Sequence, residues 1–258
     1  MSAGIKANND GSAAIQVGGS DYIQIGATGD VTIPQSQTIT GNLVVTGTAT
    51  IGGQPAGGNY ALNAYTSPTT WTKPTGLKAI KVTVIGGGGN GGTTGPAGGV
   101  SAVATSGGGG GGGTAIKYLP APSIPGPQAV TIGGTGGTSS FGAFASATGG
   151  SAGEGSPTAP LYARGGTGGV GASGDLNCDG NAGGAAAGAS PGSGAGGNGG
   201  SSILGGGTAW TTVNANGNPG GNYGGGGSGA VNRGPLPSPT VRTGGTGAPG
   251  IVIVEEFY

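Results

Sequence analysis

Short runs in which apolar and polar residues alternate recur along the chain and predict β-strands. In residues 21–33, DYIQIGATGDVTI, the apolar positions alternate with polar ones on both sides of an Ala-Thr-Gly-Asp turn, a pattern typical of a β-hairpin. Further on, Ile80, Val82 and Val84 lie on one face of a predicted strand. No stretch has the period of an amphipathic helix, so the sequence predicts an all-β fold with almost no α-helix.

Residues 1–58 form the first predicted region, a β-rich shaft or attachment region. Its apolar runs are short and are interrupted by Gly and Asn, as in AAIQVGG at 13–19 and TITGNLVVTGTATIGG at 38–53. Such runs are not stable alone, because small β-segments need several partners. Association of identical chains in a trimeric β-shaft would supply those partners. The alternative is a loose tail that becomes ordered only when it docks on a larger structure.

Residues 59–258 are predicted to form one domain built on a compact β-sandwich. A second strand pair is expected in TAIKYLP, residues 114–120, and PQAVTIGGTGG, residues 127–137. The fully apolar run at 251–254 suits a central strand. The expected large core side chains are Trp71, Tyr118 and Phe257.

Glycine accounts for 71 of the 258 residues, about four times its usual share, and only 6% of residues are charged. Collagen requires glycine at every third position, and the glycines of 183–200 do not keep that spacing. A disordered tail usually combines high net charge with few apolar residues, whereas here the formal net charge is zero and apolar strands bracket the tracts. The glycine tracts are 86–113, 149–155, 165–174, 180–207 and 217–230.

Ordered glycine needs a compensating interaction, because a glycine backbone loses more entropy on folding than any other. Extended helices with three residues per turn direct their N–H and C=O groups outward. Without side chains, such helices approach closely enough to hydrogen-bond to one another. The tracts are therefore predicted to form a bundle of polyglycine II helices, with the larger side chains of the connecting loops gathered at its ends.

The sequence resembles glycine-rich domains of phage tail-fibre proteins. Three features carry the resemblance: Trp71 with a following Pro and Gly, the strand that ends in IGGGGNGG at 85–92, and the final GGTGAPGIVIVEEFY at 244–258. The segment TGNLVVTGTATIGG at 40–53 is similar to shaft sequences of the same class. The resemblance implies a homotrimeric fibre with a β-sandwich that bears polyglycine II helices, similar in architecture to the distal adhesins of some T-even-like phages.

This resemblance implies a receptor-binding tail-fibre protein that attaches the virion to a bacterial host through loops between the glycine tracts. The implied partners are other tail or baseplate proteins and a bacterial surface glycan or outer-membrane protein. The start of the chain lacks the features of a secretory signal, so synthesis in the host cytoplasm is expected, and the resemblance implies a location on the virion. The alternative is a purely structural fibre, or a capsid or tail decoration, without receptor binding.

Catalytic chemistry is poorly represented. The chain has no His, the commonest general base and metal ligand, so a Ser-His-Asp or Cys-His site cannot be assembled. Asp175 and Asp179 would be a candidate pair of glycosidase carboxylates, but they are more simply turn residues. The few basic residues are scattered, which argues against nucleic-acid binding, and no apolar run is long enough to span a membrane. We therefore expect a non-enzymatic protein without cofactors.

Recognition is expected from bulky or amide side chains in the loops between tracts. Trp210, in GTAWTTVNANGN, is flanked by small polar residues, and an exposed aromatic ring in that setting suits contact with a sugar or a protein surface. The alternative is that Trp210 fills a gap beside the sandwich. The full set of candidate receptor contacts is Tyr162, Trp210, Asn214, Asn216, Tyr223, Arg233 and Arg242.

One local motif is typical of a cation site. Asp175, Asn177 and Asp179, followed by Gly180, fit the D-x-N-x-D-G start of a calcium loop. The bidentate Glu expected at the twelfth position is missing, since Ala186 stands there. A bound Ca²⁺ and an Asx-rich turn without an ion are both compatible with the motif.

Overall fold

A computed structural model describes residues 60–96, 103–156, 162–189, 193–212, 214–233 and 240–258, together with short strands between residues 3 and 55. Apart from a three-residue 3-10 helix, Ala121–Ser123, every regular element in these parts of the chain is a β-strand, which confirms the all-β prediction. No helix in the described ranges has the length and apolar character that a membrane span requires.

The chain divides into two compact units, Met1–Thr50 and Ile51–Tyr258. The predicted boundary between residues 58 and 59 lies outside the described residues. The first unit contains a four-stranded antiparallel sheet in the order β1-β2-β3-β4. Its strands are β1 (Ala3–Ala7), β2 (Ala13–Val17), β3 (Ser20–Ile25) and β4 (Val31–Thr32). β3 and β4 pair through Ile25 and Val31, as the alternation in this stretch predicts. The trimeric shaft stays a prediction.

The remaining strands begin at the junction of the two units. They are β5 (Thr50–Ile51), β6 (Gln54–Pro55), β7 (Tyr60–Tyr65), β8 (Thr69–Trp71), β9 (Ala79–Ile85), β10 (Val103–Thr105), β11 (Thr114–Pro120), β12 (Gln128–Thr131), β13 (Ser139–Phe141), β14 (Ala145–Ala147), β15 (Tyr162–Ala163), β16 (Gly171–Ala172), β17 (Leu176–Cys178), β18 (Ala186–Ala189), β19 (Ser193–Ala195), β20 (Val231–Arg233) and β21 (Ile251–Phe257). β5 and β6 pair with each other.

Two five-stranded antiparallel sheets form the sandwich. The first sheet has the order β17-β11-β9-β21-β7, and the second has the order β16-β14-β13-β12-β8. They pack through β9 and β11 of the first sheet and β13 and β14 of the second. β21 has a neighbour on each side, as its apolar run predicted. The predicted pairing of 114–120 with 127–137 is wrong, because the 3-10 helix between them carries the chain from the first sheet to the second.

The sandwich core contains aliphatic side chains of both sheets and two aromatic rings that meet edge to face, Trp71 and Phe141, at 5.5 Å. Trp71 is buried as predicted, and its indole N–H donates to the buried carboxylate of Glu256 at 2.7 Å. The core prediction for Tyr118 is wrong. Strand residues alternate between faces, and Tyr118 points away from the core with 56% of its surface exposed. The core prediction for Phe257 is also wrong: it follows the core-facing Glu256 on β21, so it faces outward, half-buried, and packs beside Tyr60.

Glycine-rich segments extend the sandwich beyond the ends of β9 and β11, and together we call them the glycine layer. Its segments are 86–94, 107–113, 148–156, 164–170, 180–184, 196–201, 217–220, 224–230 and 242–248. The antiparallel pairing of β9 with β11 continues into the layer, where Gly86 N donates to Gly113 O at 3.0 Å and Gly89 N donates to Gly110 O at 2.8 Å. The layer therefore has a proximal end beside the sandwich and a distal end opposite to it.

The run 107–113 lies in the middle of the glycine layer. Gly107, Gly110 and Gly113 donate backbone hydrogen bonds to the segment 148–154, and the residues between them donate to two other segments. Hydrogen bonds given or received connect this run to 86–92, 148–154, 166–169, 181–184, Gly200 and 224–227. A repeat of three residues is the one expected of extended helices of the polyglycine II type. The assignment of that helix type stays a prediction, while the hydrogen bonds satisfy the buried backbone groups of the run.

Close approach of backbones, rather than an unusual backbone conformation, is what requires glycine in this run. No glycine of 107–113 has a positive φ, so L-residues are compatible with its conformation. A Cβ at Gly110 would lie 2.5 Å from the carbonyl carbon of Thr167 and even closer to its oxygen. A Cβ at Gly112 would lie less than 3.0 Å from Gly86 O. At these positions of the run a side chain is therefore excluded.

Candidate functional site

The distal end of the glycine layer is where the chain returns to short strands. There β10 pairs with β20, and β18 pairs with both β15 and β19. Thr94, at the distal end of the segment 86–94, forms bridges with Ser156 and Arg242. These strands and bridges hold most of the predicted receptor contacts at one end of the glycine layer, as the hypothesis of side chains gathered at the ends expects.

Asn214 joins two of the predicted arginines. Its side-chain oxygen accepts hydrogen bonds from Arg242 Nε at 3.1 Å and from the backbone N–H of Arg233 at 3.3 Å. The Arg233 guanidinium donates through Nη2 to Gly194 O at 3.2 Å, and its buried Nε has no partner among the described residues. Asn216 accepts from the backbone N–H of Thr243 at 3.1 Å. Four predicted contacts therefore lie in one hydrogen-bonded region.

The two arginines of this region have no acidic partner among the described residues. Neither Arg233 nor Arg242 forms an ion pair with an acidic side chain in the described part of the chain, where the ion pairs are Lys81–Glu255 and Lys117–Asp175. Both guanidinium groups are half-buried, so part of each faces solvent. The arrangement suits a ligand that accepts hydrogen bonds or carries negative charge.

Trp210 is 52% exposed, which contradicts the alternative that it fills a gap beside the sandwich. Its backbone N–H donates to the side-chain oxygen of Asn198 at 2.8 Å. The indole forms one side of a shallow groove whose other lining residues are Gly184, Ala185, Ala187, Ala195, Gly196 and Asn198. A flat aromatic ring beside small residues and one amide is suited to the apolar face and hydroxyl groups of a sugar.

The two tyrosines of the predicted set lie at different ends of the layer. Tyr162 is on β15 at the distal end and is 60% exposed. Tyr223 is half-buried at the proximal end, where its carbonyl accepts a hydrogen bond from the Ser202 hydroxyl. The next residue, Gly224, donates to Pro249 O immediately before β21. The structure therefore separates Tyr223 from the other candidates.

Asp175 and Asn177 have protein partners in place of a cation. The Asp175 carboxylate accepts hydrogen bonds from Lys117 Nζ at 2.7 Å and from the Tyr118 backbone N–H at 2.9 Å, and both hold its pKa below the ordinary value. The Asn177 amide both accepts from and donates to the backbone of Gly174. The described residues contain no group of three His, Cys, Asp or Glu side chains placed to bind a metal. These bonds suit the Asx-rich turn, and the calcium site stays a prediction that titration calorimetry tests.

Two residues of the distal end were missed by reasoning from the sequence. Val241 is 53% exposed beside Thr93 and Thr94, and Asn198 lines the Trp210 groove. The signal for Asn198 is its place between glycine pairs, Gly-Gly-Asn-Gly-Gly at 196–200, because a side chain inside such a run must face outward.

Comparisons with known proteins place the chain in no family. No protein-family model matches it, and no curated protein matches it in sequence.

Proposed function

We propose that this chain is a receptor-binding tail-fibre protein of a phage, and that the distal end of its glycine layer contacts the bacterial surface. The observation that supports this proposal best is the position of Trp210, an exposed aromatic residue at one side of a groove on the glycine layer. A large apolar ring in water favours a binding partner, since burial of aromatic surface on contact is favourable.

The chemistry around the groove supports a glycan or the loops of an outer-membrane protein as the receptor. No charged residue lines the groove, which suits the neutral part of a saccharide. Arg233 and Arg242 supply positive charge elsewhere at the same end, which suits acidic or phosphorylated substituents. Individually weak contacts of this kind become effective when several copies of the protein bind together.

Binding of the fluorescently labelled full-length protein to a panel of bacterial strains tests the proposal. We expect saturable binding to some strains, and a decrease of about tenfold in affinity for Trp210→Ala, the loss typical of a central aromatic contact. The matched control is Ile203→Ala. Ile203 is equally exposed, at 53%, but lies in the turn near Tyr223 at the proximal end, so its removal should leave binding unchanged.

A structural fibre or decoration protein is the competing function. It predicts that the purified protein binds none of the strains, or that Trp210→Ala and Ile203→Ala bind equally well. One observation favours this alternative. The hydrogen bonds of Asn214 with Arg233 and Arg242 stabilise the distal end whether or not a receptor exists. Release of soluble saccharide from the cells would instead indicate an enzyme.

A further inference from the structure

The two outer faces of the sandwich differ in chemistry. Strand residues alternate between faces, so a sheet with one face on the core normally directs polar residues to solvent on the other. The second sheet follows this rule, and its outward residues are small or polar: Thr70, Ala129, Thr131, Ser140, Ser146 and Ala172. The first sheet does not. Its outward side chains are mostly large and apolar, although both sheets belong to one sandwich.

The register of the first sheet places these side chains side by side. Glu255 pairs with Leu62 on one side and Lys81 on the other, and Lys81 pairs with Tyr118. We use the name apolar face for this surface, with its large residues Tyr60, Leu62, Ile116, Tyr118, Leu176 and Ile253. Four of them are more than half exposed: Tyr60 at 53%, Leu62 at 55%, Tyr118 at 56% and Leu176 at 54%. None of these four takes part in the distal end.

The area of the apolar face approaches that of a specific interface. Five strands separated by about 4.8 Å and about five residues long give a flat area of roughly 400 Å². Projecting side chains raise the surface that two such faces would bury to about 1,000 Å², the lower bound for a specific protein contact. Single exposed apolar residues need no explanation, but large apolar side chains grouped on both sides of one ion pair, Lys81–Glu255, do.

The charges on the apolar face indicate which kind of partner covers it. Lys81 and Glu255 lie near its centre as an ion pair at 2.8 Å, and the face has no excess of either sign. Two copies that meet face to face across a two-fold axis bring Lys81 of one near Glu255 of the other, so that the same residues serve both sides. An anionic lipid surface would instead favour an excess of lysine and arginine around the patch. The formal net charge of the whole chain is zero, so copies do not repel one another.

We propose that the apolar face is a self-association surface, covered by the same face of a second copy of this chain. The proposal does not depend on receptor binding. Contacts of about 1,000 Å² are typically weak, so association should depend on protein concentration in the micromolar range.

Sedimentation velocity of the full-length chain between about 1 and 100 µM tests the proposal. We expect the wild-type protein to assemble, and Leu62→Lys to raise the dissociation constant by at least about tenfold, since it places a charge in the contact. The matched control is Val241→Lys, because Val241 is similarly exposed, at 53%, but lies at the distal end. A wild-type chain that stays monomeric, or an equal effect of both variants, would overturn the proposal.

Crosslinking locates the contact even if the unit Met1–Thr50 also associates. Thr83 lies on the central strand β9 and faces outward, so its symmetry mate should lie within about 10 Å, the distance between packed sheets. In a Cys178→Ser background, Thr83→Cys should couple two chains through a bismaleimide of that span, whereas Thr131→Cys on the second sheet should not. If Thr83→Cys fails to couple, or Thr131→Cys couples equally, something other than this face of a second copy mediates assembly and the proposal is wrong.

Discussion

Gly110→Ala, a substitution of one hydrogen atom by a methyl group, is the most direct test of the glycine layer. At this position the new Cβ would lie 2.5 Å from the Thr167 carbonyl carbon, whereas ordinary contact begins at 3.4 Å. The central run and the segment 164–170 would have to separate by about 0.9 Å. Two hydrogen bonds between them, Gly166 N to Gly108 O and Gly169 N to Gly111 O, both 2.8 Å long, would stretch to about 3.7 Å and be lost.

The expected loss of stability follows from those two bonds. A buried backbone group that loses its partner costs about 1–3 kcal/mol, so two lost bonds cost roughly 2–6 kcal/mol. Replacement of glycine by alanine also lowers the conformational entropy of the unfolded chain. Where φ is compatible with alanine, this raises the free energy of unfolding by about 0.4–1 kcal/mol. The loss of hydrogen bonds exceeds that gain, and we expect Gly110→Ala to lower the free energy of unfolding by about 3 kcal/mol.

Urea denaturation of Gly110→Ala and Gly206→Ala, followed by circular dichroism, measures this difference. A Cβ at Gly206 would meet nothing within 4 Å, so that variant should be neutral or slightly more stable than wild type. If Gly110→Ala unfolds at the same urea concentration as Gly206→Ala, the backbones of the glycine layer do not approach as closely as their hydrogen bonds require, and the reasoning fails.

Two further predictions concern polar contacts of the sandwich. Trp71→Phe removes the indole N–H that donates to the buried Glu256 carboxylate and leaves it with the Tyr258 hydroxyl as its side-chain donor. We expect urea denaturation to show a loss of about 2 kcal/mol, partly recovered when Glu256→Gln removes the charge. Lys117 and the Tyr118 backbone hold the pKa of Asp175 below its ordinary value of 3.8. The stabilisation is present above that value and is lost as pH falls through the lower folded-state pKa. Unfolding midpoints from pH 5 to pH 2 should therefore fall less for Asp175→Asn than for wild type, and equal slopes would contradict this.

The apolar patterns of the sequence predicted where strands lie along the chain better than they predicted how those strands pair in the sheets. The run at 251–254 identified a central strand, because only a strand with neighbours on both sides and a covered face tolerates four consecutive apolar residues. The pairing of β11 with β12 was wrong for a physical reason. The 3-10 helix Ala121–Ser123 moves the chain between sheets, whereas adjacency in sequence favours a hairpin.

The sequence left two positions open for Trp210 and gave the wrong one for Tyr118. The polar neighbours of Trp210 suited a surface position as well as a gap beside the sandwich, and 52% of the residue is exposed. Tyr118 lies on a strand, and alternation along a strand separates two faces. When both faces carry apolar residues, the pattern does not show which face packs on the core. The apolar face could not be predicted for the same reason. Leucines such as Leu62 and Leu176 are typical of core positions, and only the strand register shows that they face outward.

The distal grouping of Asn214, Arg233 and Arg242 depends on the hydrogen-bond register of the glycine layer. These residues are up to 28 positions apart, and glycine segments without side chains carry no pattern that fixes which segment lies beside which. The same register places Tyr223, which lies inside the tract 217–230, at the proximal end.

A three-residue repeat explains how a domain so rich in glycine still presents side chains. In the segment 164–170, Arg164, Thr167 and Val170 are exposed, while Gly166 and Gly169 are buried. One position in each turn of such a segment faces solvent and accepts any residue, whereas the inward positions must remain glycine because a neighbouring backbone occupies the space of a Cβ. Substitutions at the outward positions and at the ends therefore leave the hydrogen bonds of the interior unchanged. This separation lets a fixed glycine layer carry different surface chemistries at its outward positions.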